Sequence, residues 1–436
     1  MTDHSQNTAT VVCIRYDELV SSCSSKPKST AADDMNTNID VDNLIEKAFG
    51  SNPSSLGIIA ITNVPKLPSL RLRLLPLAQK LASLSPQELE EITVPEAEYQ
   101  VGWSHGREKL EGDKLDYSKG SFYANPLTED LTNSMLERRR LQRKQLNDNN
   151  SAEDDINVKS GTKELLKWDE SLHSIKTDEE LIQLAKDNPA FFAPNVWPSN
   201  CLPELECAFR DVGVLVQEVG VLVAKCCDSY VSSRCPGYEP KLESIIRNSK
   251  CCKARLLHYF PTDDDNATED DATNENDDTK FSNWCGWHND HGSLTGLLPA
   301  LYLDPGGNIV NCPDTTAGLY CKSRNGKTVH ARIPEDAIAF QVGETMQIHS
   351  GGLLEATPHA VRGCKGGSSV SRETFAVFME PEYHSSMDIP ASRTLEDTQC
   401  AEAERSLPSS VRTISKRWKM GMNFGEFSNA TFAAFY

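Results

Sequence analysis

Three side chains far apart in the sequence have the types that a redox metal needs: His288 and Asp290, in Trp287-His288-Asn289-Asp290-His291, and His359, in Thr357-Pro358-His359-Ala360-Val361. In an extended strand residues i and i+2 project from one face, so His288 and Asp290 can reach one ion while Asn289 points away. His359 completes the set. Two imidazoles and one carboxylate on one face of an octahedron leave three positions open, which suits ferrous iron that must hold a bidentate co-substrate and dioxygen together. Thirteen residues beyond His359, Arg372 and Thr374 stand at i and i+2 of the apolar run Arg372-Glu373-Thr374-Phe375-Ala376-Val377-Phe378. They share a face, and a guanidinium fork beside a hydroxyl can hold a carboxylate in an otherwise apolar pocket. Tyr259, in Arg255-Leu256-Leu257-His258-Tyr259-Phe260-Pro261, lies on the strand preceding the metal strand and offers that carboxylate another hydroxyl.

The elements that must position these groups follow from periodicity and turn chemistry. After Pro240 the chain shows short apolar runs broken by Gly, Pro, Asn and Asp: Ala254 to Phe260, Gly296 to Leu303, Gly318 to Cys321, Ala337 to Val342, Thr345 to Ile348 and Thr374 to Met379. Such a set predicts an antiparallel sandwich or jelly roll. Upstream, Leu56 to Ile61 is a buried strand ending at Asn63-Val64-Pro65. Leu70, Leu74, Leu77, Ala78, Leu81 and Leu84 follow at helical spacing, and Ser85-Pro86-Gln87-Glu88 is a capping box. Pro203 opens a long helix whose stripe of Leu205, Phe209, Val212, Val216, Val219, Leu222 and Val223 should back a sheet.

With 436 residues the chain is one large domain or two to three smaller ones. Hydrophobic residues are 38% and charged residues 25%, polar enough to predict solvated insertions. Lys and Arg total 44 against 63 Asp and Glu, a net charge of −19 that disfavours nucleic acid or an anionic membrane as partner. Much of the excess is local: Thr262 to Lys280 holds nine acidic residues and one lysine, and is expected to be a surface loop without the glycine and terminal glutamate of a calcium loop. The basic cluster Arg138 to Lys144 is expected to be a solvated helix end. No apolar run reaches a membrane span and the first ten residues lack a secretory pattern, so a reducing, cytoplasmic setting is expected, with the 14 cysteines as thiols. The organisation expected is a loose polar segment over 1–40, though Val11 to Tyr16 can form a strand, then a mixed helical region over 41–249 with a polar insertion at about 145–163. A core over 250–390 carries the acidic loop 262–280, and a helical segment over 391–436 closes the chain.

Taken together, the ordered motifs resemble the 2-oxoglutarate- and iron(II)-dependent oxygenases, in particular the isopenicillin-N-synthase-like branch. Gly57 to Pro65 resembles its N-terminal strand and turn, Asn195-Val196-Trp197-Pro198 its Trp-Pro element, Arg255 to Pro261 its co-substrate tyrosine strand. His288-Asn289-Asp290 through Leu294-Thr295 is similar to its metal motif, Thr357 to Val361 to its distal histidine, and Arg372-Glu373-Thr374 to its arginine-x-serine motif. Leu257 stands where the family often has asparagine, Thr374 where it has serine, and the spacing from His359 to Arg372 is longer than usual, with Gly363 to Ser369 able to absorb the difference in a turn.

The resemblance implies a double-stranded β-helix core, mainly β with flanking helices, buttressed by an N-terminal mixed α/β region and closed by C-terminal helices. It implies Fe(II) held by His288, Asp290 and His359. It also implies 2-oxoglutarate chelating the iron, with its far carboxylate on Arg372, Thr374 and Tyr259. Dioxygen is consumed, succinate and carbon dioxide are released, and a C–H bond of a small organic substrate is hydroxylated or desaturated. An oxidase on the same scaffold that needs no 2-oxoglutarate, and a silent binding module, are the competing readings; succinate formation separates them. A monomer is expected, and no substrate-binding residue is assigned. His291 and His349 are expected to be pocket-wall or structural residues. Trp284, Trp287, Tyr302 and Tyr320 are expected to be packing residues more than cavity lining, and Trp103-Ser104-His105-Gly106 a plain surface loop.

Overall fold

The computed structural model describes residues 8–24, 40–107, 115–150, 175, 177–261, 284–364, 369–399, 407–408, 411 and 413–435. The acidic stretch 262–280, residues 151–163 of the polar insertion and most of the turn after Gly363 lie outside the described residues. In chain order the strands are β1 (Thr8–Thr10), β2 (Val12–Arg15), β3 (Ile58–Thr62), β4 (Gly102–His105) and β5 (Lys119–Ala124). There follow β6 (Cys252–Tyr259), β7 (Cys285–His288), β8 (Leu294–Leu297), β9 (Leu301–Leu303) and β10 (Ile309–Val310). The last are β11 (Gly318–Lys322), β12 (Thr328–Arg332), β13 (Ile338–Val342), β14 (His359–Arg362) and β15 (Ser371–Met379).

Two sheets result. The smaller has the order β1-β12-β11-β14-β7; the larger runs β2-β3-β13-β8-β15-β6-β5-β4, with β9 also on β15 and β10 on β9. Among the described strands every pairing is antiparallel except β1 with β12 and β2 with β3. Strands distant in sequence are neighbours in space, the topology of a jelly roll with flanking helices.

The alternation of side chains along β15 and β6 assigns each face of the larger sheet a different partner. Leu257, Tyr259 and Ala376 turn toward the smaller sheet and join Trp284 and Val361, with Cys285 and Leu319, in a cluster between the sheets. Leu256, Phe375, Val377 and Met379 turn the other way and pack on the long helix Glu204–Arg234. Of the seven residues in that helix's expected stripe all but Leu222 are buried. Phe209 meets Phe375 edge-to-face at 4.9 Å. Gly220 brings the helix close: a Cβ there would lie 2.6 Å from the Met379 sulfur.

Other expectations meet the structure unevenly. The capping box forms at Ser85 and Glu88. Thr345 to Ile348 is not a strand but part of the helix Glu344–His349, all six residues of which are buried; a short apolar run with neighbours on every side carries no period to tell the two apart. Trp103 to Gly106 is no surface loop, because Gly102–His105 is a strand paired with β5 and Trp103 is buried against the helical layer. The N-terminal segment expected to be loose over 1–40 is ordered in its described part, where residues 8–24 form β1, β2 and the helix Tyr16–Ser24, and residues 1–7 and 25–39 lie outside the described residues. Within the basic cluster, Arg138 pairs with Glu382 at 2.6 Å, and Arg139 and Arg143 share Asp178.

The Phe375→Ala variant removes a fully buried ring from the contact between sheet and helix. Urea unfolding should register a loss of about 3–5 kcal/mol.

Candidate metal and co-substrate site

β14 and β7 are neighbours in the smaller sheet, and His359 pairs directly with His288. Directly opposed residues share a face, so the two imidazoles stand side by side, ring centres 4.3 Å apart. β7 ends at His288, so Asp290 sits in the following loop and not on the strand. Its carboxylate oxygens lie 3.9 Å from the Nε2 of each histidine. One ligand atom from each of the three residues falls within 4.8 Å of the others, and among the described residues no other group of three His, Cys, Asp or Glu does so.

The hydrogen bonds behind the rings decide which nitrogen faces inward. His288 Nδ1 is 2.8 Å from the Gly286 carbonyl and His359 Nδ1 is 3.2 Å from the Thr357 carbonyl. A carbonyl only accepts, so each Nδ1 donates and each Nε2 is the nitrogen turned toward Asp290. Burial raises the Asp290 carboxyl, but the two imidazoles outweigh it and hold the group below its ordinary value. Burial pushes His359 down to about 4. Oδ2 of Asp290 has no hydrogen-bond partner among the described residues. Two imidazole nitrogens and a carboxylate oxygen without a partner converge on one point, and this nitrogen–oxygen set suits ferrous iron. The residues present therefore fit the metal.

The loop carrying Asp290 is tied to two later elements. Glu344 donates its backbone N–H to the Asp290 carbonyl at 2.8 Å, and Thr345 donates its hydroxyl to the His291 carbonyl at 2.6 Å. The Glu344 carboxylate accepts from Asn289 at 3.4 Å and from Arg417 at 2.6 Å, and Arg417 also donates to Thr431 at 2.8 Å. The His291 ring lies parallel to Phe424 and 3.3 Å from the Ser428 hydroxyl, and burial pushes it down to about 4. His291 is thus structural. His349, held by the Ser386 carbonyl at 2.9 Å, belongs to the same support.

The expected carboxylate anchor lies on the inner face of the larger sheet. Arg372 on β15 opposes Tyr259 on β6 and Tyr302 on β9. Its guanidinium carbon is 4.9 Å from the Tyr259 ring centre and 6.0 Å from that of Trp284. Nε and Nη1 of this arginine are buried and bond to none of the described groups. A buried cation held by aromatic faces, with two N–H groups unspent, is a receptor for an anion. Thr374 shares the face, yet its hydroxyl donates to the Leu298 carbonyl at 3.0 Å. Leu257 lies in the apolar cluster between the sheets. Of the four aromatic residues weighed from sequence, Trp284 and Tyr302 belong to this interior, whereas Trp287 and Tyr320 pack with Ala360 and Val411 in a separate cluster.

Comparison with known proteins gives no matching family model and no matching curated protein. Solved structures do match. A full-length Neurospora crassa protein in complex with alpha-KG and thymine superposes with a TM-score of 0.55 at 17% identity, covering 100% of this chain and 99% of that one. A putative 2OG-Fe(II) oxygenase family protein from Caulobacter crescentus gives 0.55 at 14% identity over 97% and 99% of the two chains. JOX2 in complex with 2OG, Fe and JA gives 0.52 at 13% identity over 98% and 87%. The fold is that of the 2-oxoglutarate- and iron(II)-dependent oxygenases. In this oxygenase fold the chain brings His288, Asp290 and His359 together, and the Tyr259 and Trp284 rings that face Arg372 share a cluster with Cys285, whose thiol is 3.8 Å from His288 Nδ1.

Sequence reasoning missed Arg417, because a lone arginine in a polar stretch carries no signal. It gave Trp284 no role at the anchor, although that indole N–H is buried next to Arg372 without a partner among the described residues. Arg417→Met leaves the buried Glu344 carboxylate uncompensated and should cost about 3–5 kcal/mol in urea unfolding. Adding Glu344→Gln in the same chain should restore most of that loss, which a double-mutant cycle measures.

Proposed function

We propose that this chain is an oxidoreductase, a non-haem Fe(II)- and 2-oxoglutarate-dependent dioxygenase of the isopenicillin-N-synthase-like branch. It hydroxylates or desaturates a small organic substrate while 2-oxoglutarate is decarboxylated to succinate and carbon dioxide. The reading is supported above all by one conjunction: three converging lone-pair donors, joined through Cys285, Trp284 and Tyr259 to a buried guanidinium with two N–H groups unspent.

In this reading His288, Asp290 and His359 hold the iron and leave positions for the keto acid and for dioxygen. Bound iron with its co-substrate supplies the redox chemistry. The chain's own residues do the rest. The Gly286 and Thr357 carbonyls fix the tautomers of the two imidazoles, and the Glu344 and Thr345 contacts hold the Asp290 loop in reach of them. Arg372 receives the far carboxylate of 2-oxoglutarate, with Tyr259 beside it and Trp284 closing the other side. Thr374 contributes only if its hydroxyl leaves Leu298, so it ranks below Arg372. The small-molecule class of substrate is supported by the likeness in fold to the Neurospora crassa protein, solved with thymine, and to JOX2, solved with JA.

Incubation in air with Fe(II) and 2-oxoglutarate, without added substrate, should release succinate slowly. Asp290→Ala and His359→Ala should each abolish that release, and persistence in either variant would overturn the metal assignment. Arg372→Ala should raise the apparent KM for 2-oxoglutarate by roughly 30- to 1000-fold, the equivalent of ~2–4 kcal/mol for a desolvated charge-assisted pair. Thr374→Val should shift it by less than about tenfold, in keeping with one neutral hydrogen bond.

A further inference from the structure

The helix Tyr16–Ser24 is fastened to the rest of the chain by little apolar surface. Leu19 is the one buried residue of its nine. Tyr16 and Cys23, three residues before it and four after, lie on the same face and pack half-buried against the main hydrophobic cluster. The long helix Glu204–Arg234 receives Cys23 where its own apolar stripe is incomplete: Leu222 is the stripe residue left partly open, and its carbonyl accepts from the Cys23 thiol at 3.5 Å. One turn further along, the Cys226 sulfur is 3.7 Å from that of Cys23, although the two residues are 203 positions apart in the sequence.

These thiols touch and are not bonded. Their surroundings differ in the way that divides labour between a reactive and a resolving cysteine. Cys23 is half-buried and open to solvent on one side, whereas Cys226 is only 5% exposed. With the Cys23 S–H directed at Leu222, the contact between the sulfurs is made by the S–H of Cys226. That contact, helped by the neighbouring Lys225 ammonium, outweighs burial and holds Cys23 below its ordinary value; the same contact and burial push Cys226 up. The sulfur that is accessible and more readily ionised attacks an oxidant, and the protected one against it resolves the product.

We propose that Cys23 and Cys226 are a peroxide-reactive pair, joined reversibly in a disulfide that staples the helix Tyr16–Ser24 to the long helix. Hydrogen peroxide supplies the oxidising equivalents. The Cys23 sulfur attacks one peroxide oxygen, the O–O bond breaks, and the departing hydroxide takes the thiol proton as water, which leaves a sulfenic acid. The Cys226 sulfur then attacks the Cys23 sulfur: the S–S bond forms, the S–O bond breaks, and hydroxide leaves with the Cys226 proton as a second water. Two thiols have lost two electrons and one peroxide has gained them. The sulfurs must approach further than in the reduced protein, and the short helix held by one buried leucine is the partner able to move. The bond ties together positions 203 residues apart and so removes conformational freedom from the unfolded chain. None of this depends on the iron reading.

The full chain, reduced and freed of reductant, is treated with hydrogen peroxide, capped with an alkylating agent and mapped by peptide mass spectrometry without reduction. A linked Cys23–Cys226 peptide pair should be the main fate of Cys23. It should vanish with dithiothreitol, and its formation should raise the thermal midpoint by several degrees. In Cys226→Ala the link is lost, and dimedone should trap severalfold more sulfenic acid at Cys23. Cys23→Ser, a half-buried change of one atom, should remove both the link and the rise in midpoint. Mapping of the unaltered chain decides the question by itself should a variant fold poorly: Cys23 recovered as free thiol, as an over-oxidised acid, or linked mainly to another cysteine would overturn the proposal. A linked pair that leaves the thermal midpoint where it was would overturn the staple.

Discussion

The arrangement on which the rest depends is the convergence of two imidazole nitrogens and a carboxylate on one point beside the smaller sheet. Nothing local makes these groups approach. The smaller sheet forces them together, because the register of β14 on β7 places His359 opposite His288 while carbonyls behind the rings turn both Nε2 atoms inward. The rigidity that keeps them in place is lent by hydrogen-bonded backbone on one side and by the buried Glu344–Arg417 pair on the other. A preset cage of this kind spends folding free energy in advance so that an arriving cation meets little reorganisation.

The larger sheet shows the same economy in a different form. One strand pair, β6 with β15, carries two polar constellations back to back, and the two-residue period keeps them apart: Arg372 and Tyr259 inward, Glu373 and His258 outward. Between and beyond them Phe375, Val377 and Met379 fasten the sheet to the long helix, so the anchors ride on a surface that is itself packed. Such a support allows a buried guanidinium to be held by ring faces instead of by a carboxylate.

How much of this was legible follows from where the signals are local. His288, Asp290, His359, Arg372 and Tyr259 could be read because each sits in a short motif, and alternation told which of Arg372 and Glu373 shares a face with Thr374. The long helix was legible because an apolar stripe repeats over many turns. Thr345 to Ile348 was misread as a strand because total burial erases periodicity, and Trp103 to Gly106 was misread as a loop because polar residues and glycines obscure a strand covered on both faces. The Arg417 contact joins residues 73 positions apart and rests on tertiary approach alone. For Thr374 the sequence shows the face it shares with Arg372 but not that its hydroxyl donates to the Leu298 carbonyl, a contact only the folded chain creates.

The first described residues carry one more consequence. β1 adds to the outer edge of the smaller sheet and β2, one residue later, to the outer edge of the larger, each by parallel pairing. A stretch of eight residues therefore works as a seam sewn through both halves of the sandwich, joining Thr8 to His330 and Val12 to Ile59. The two pairings close 322 and 47 positions of chain, and each carries the corresponding loop-closure entropy. The strands it leaves at the rims have three and four described residues, and short edge strands limit the backbone offered for pairing with another chain.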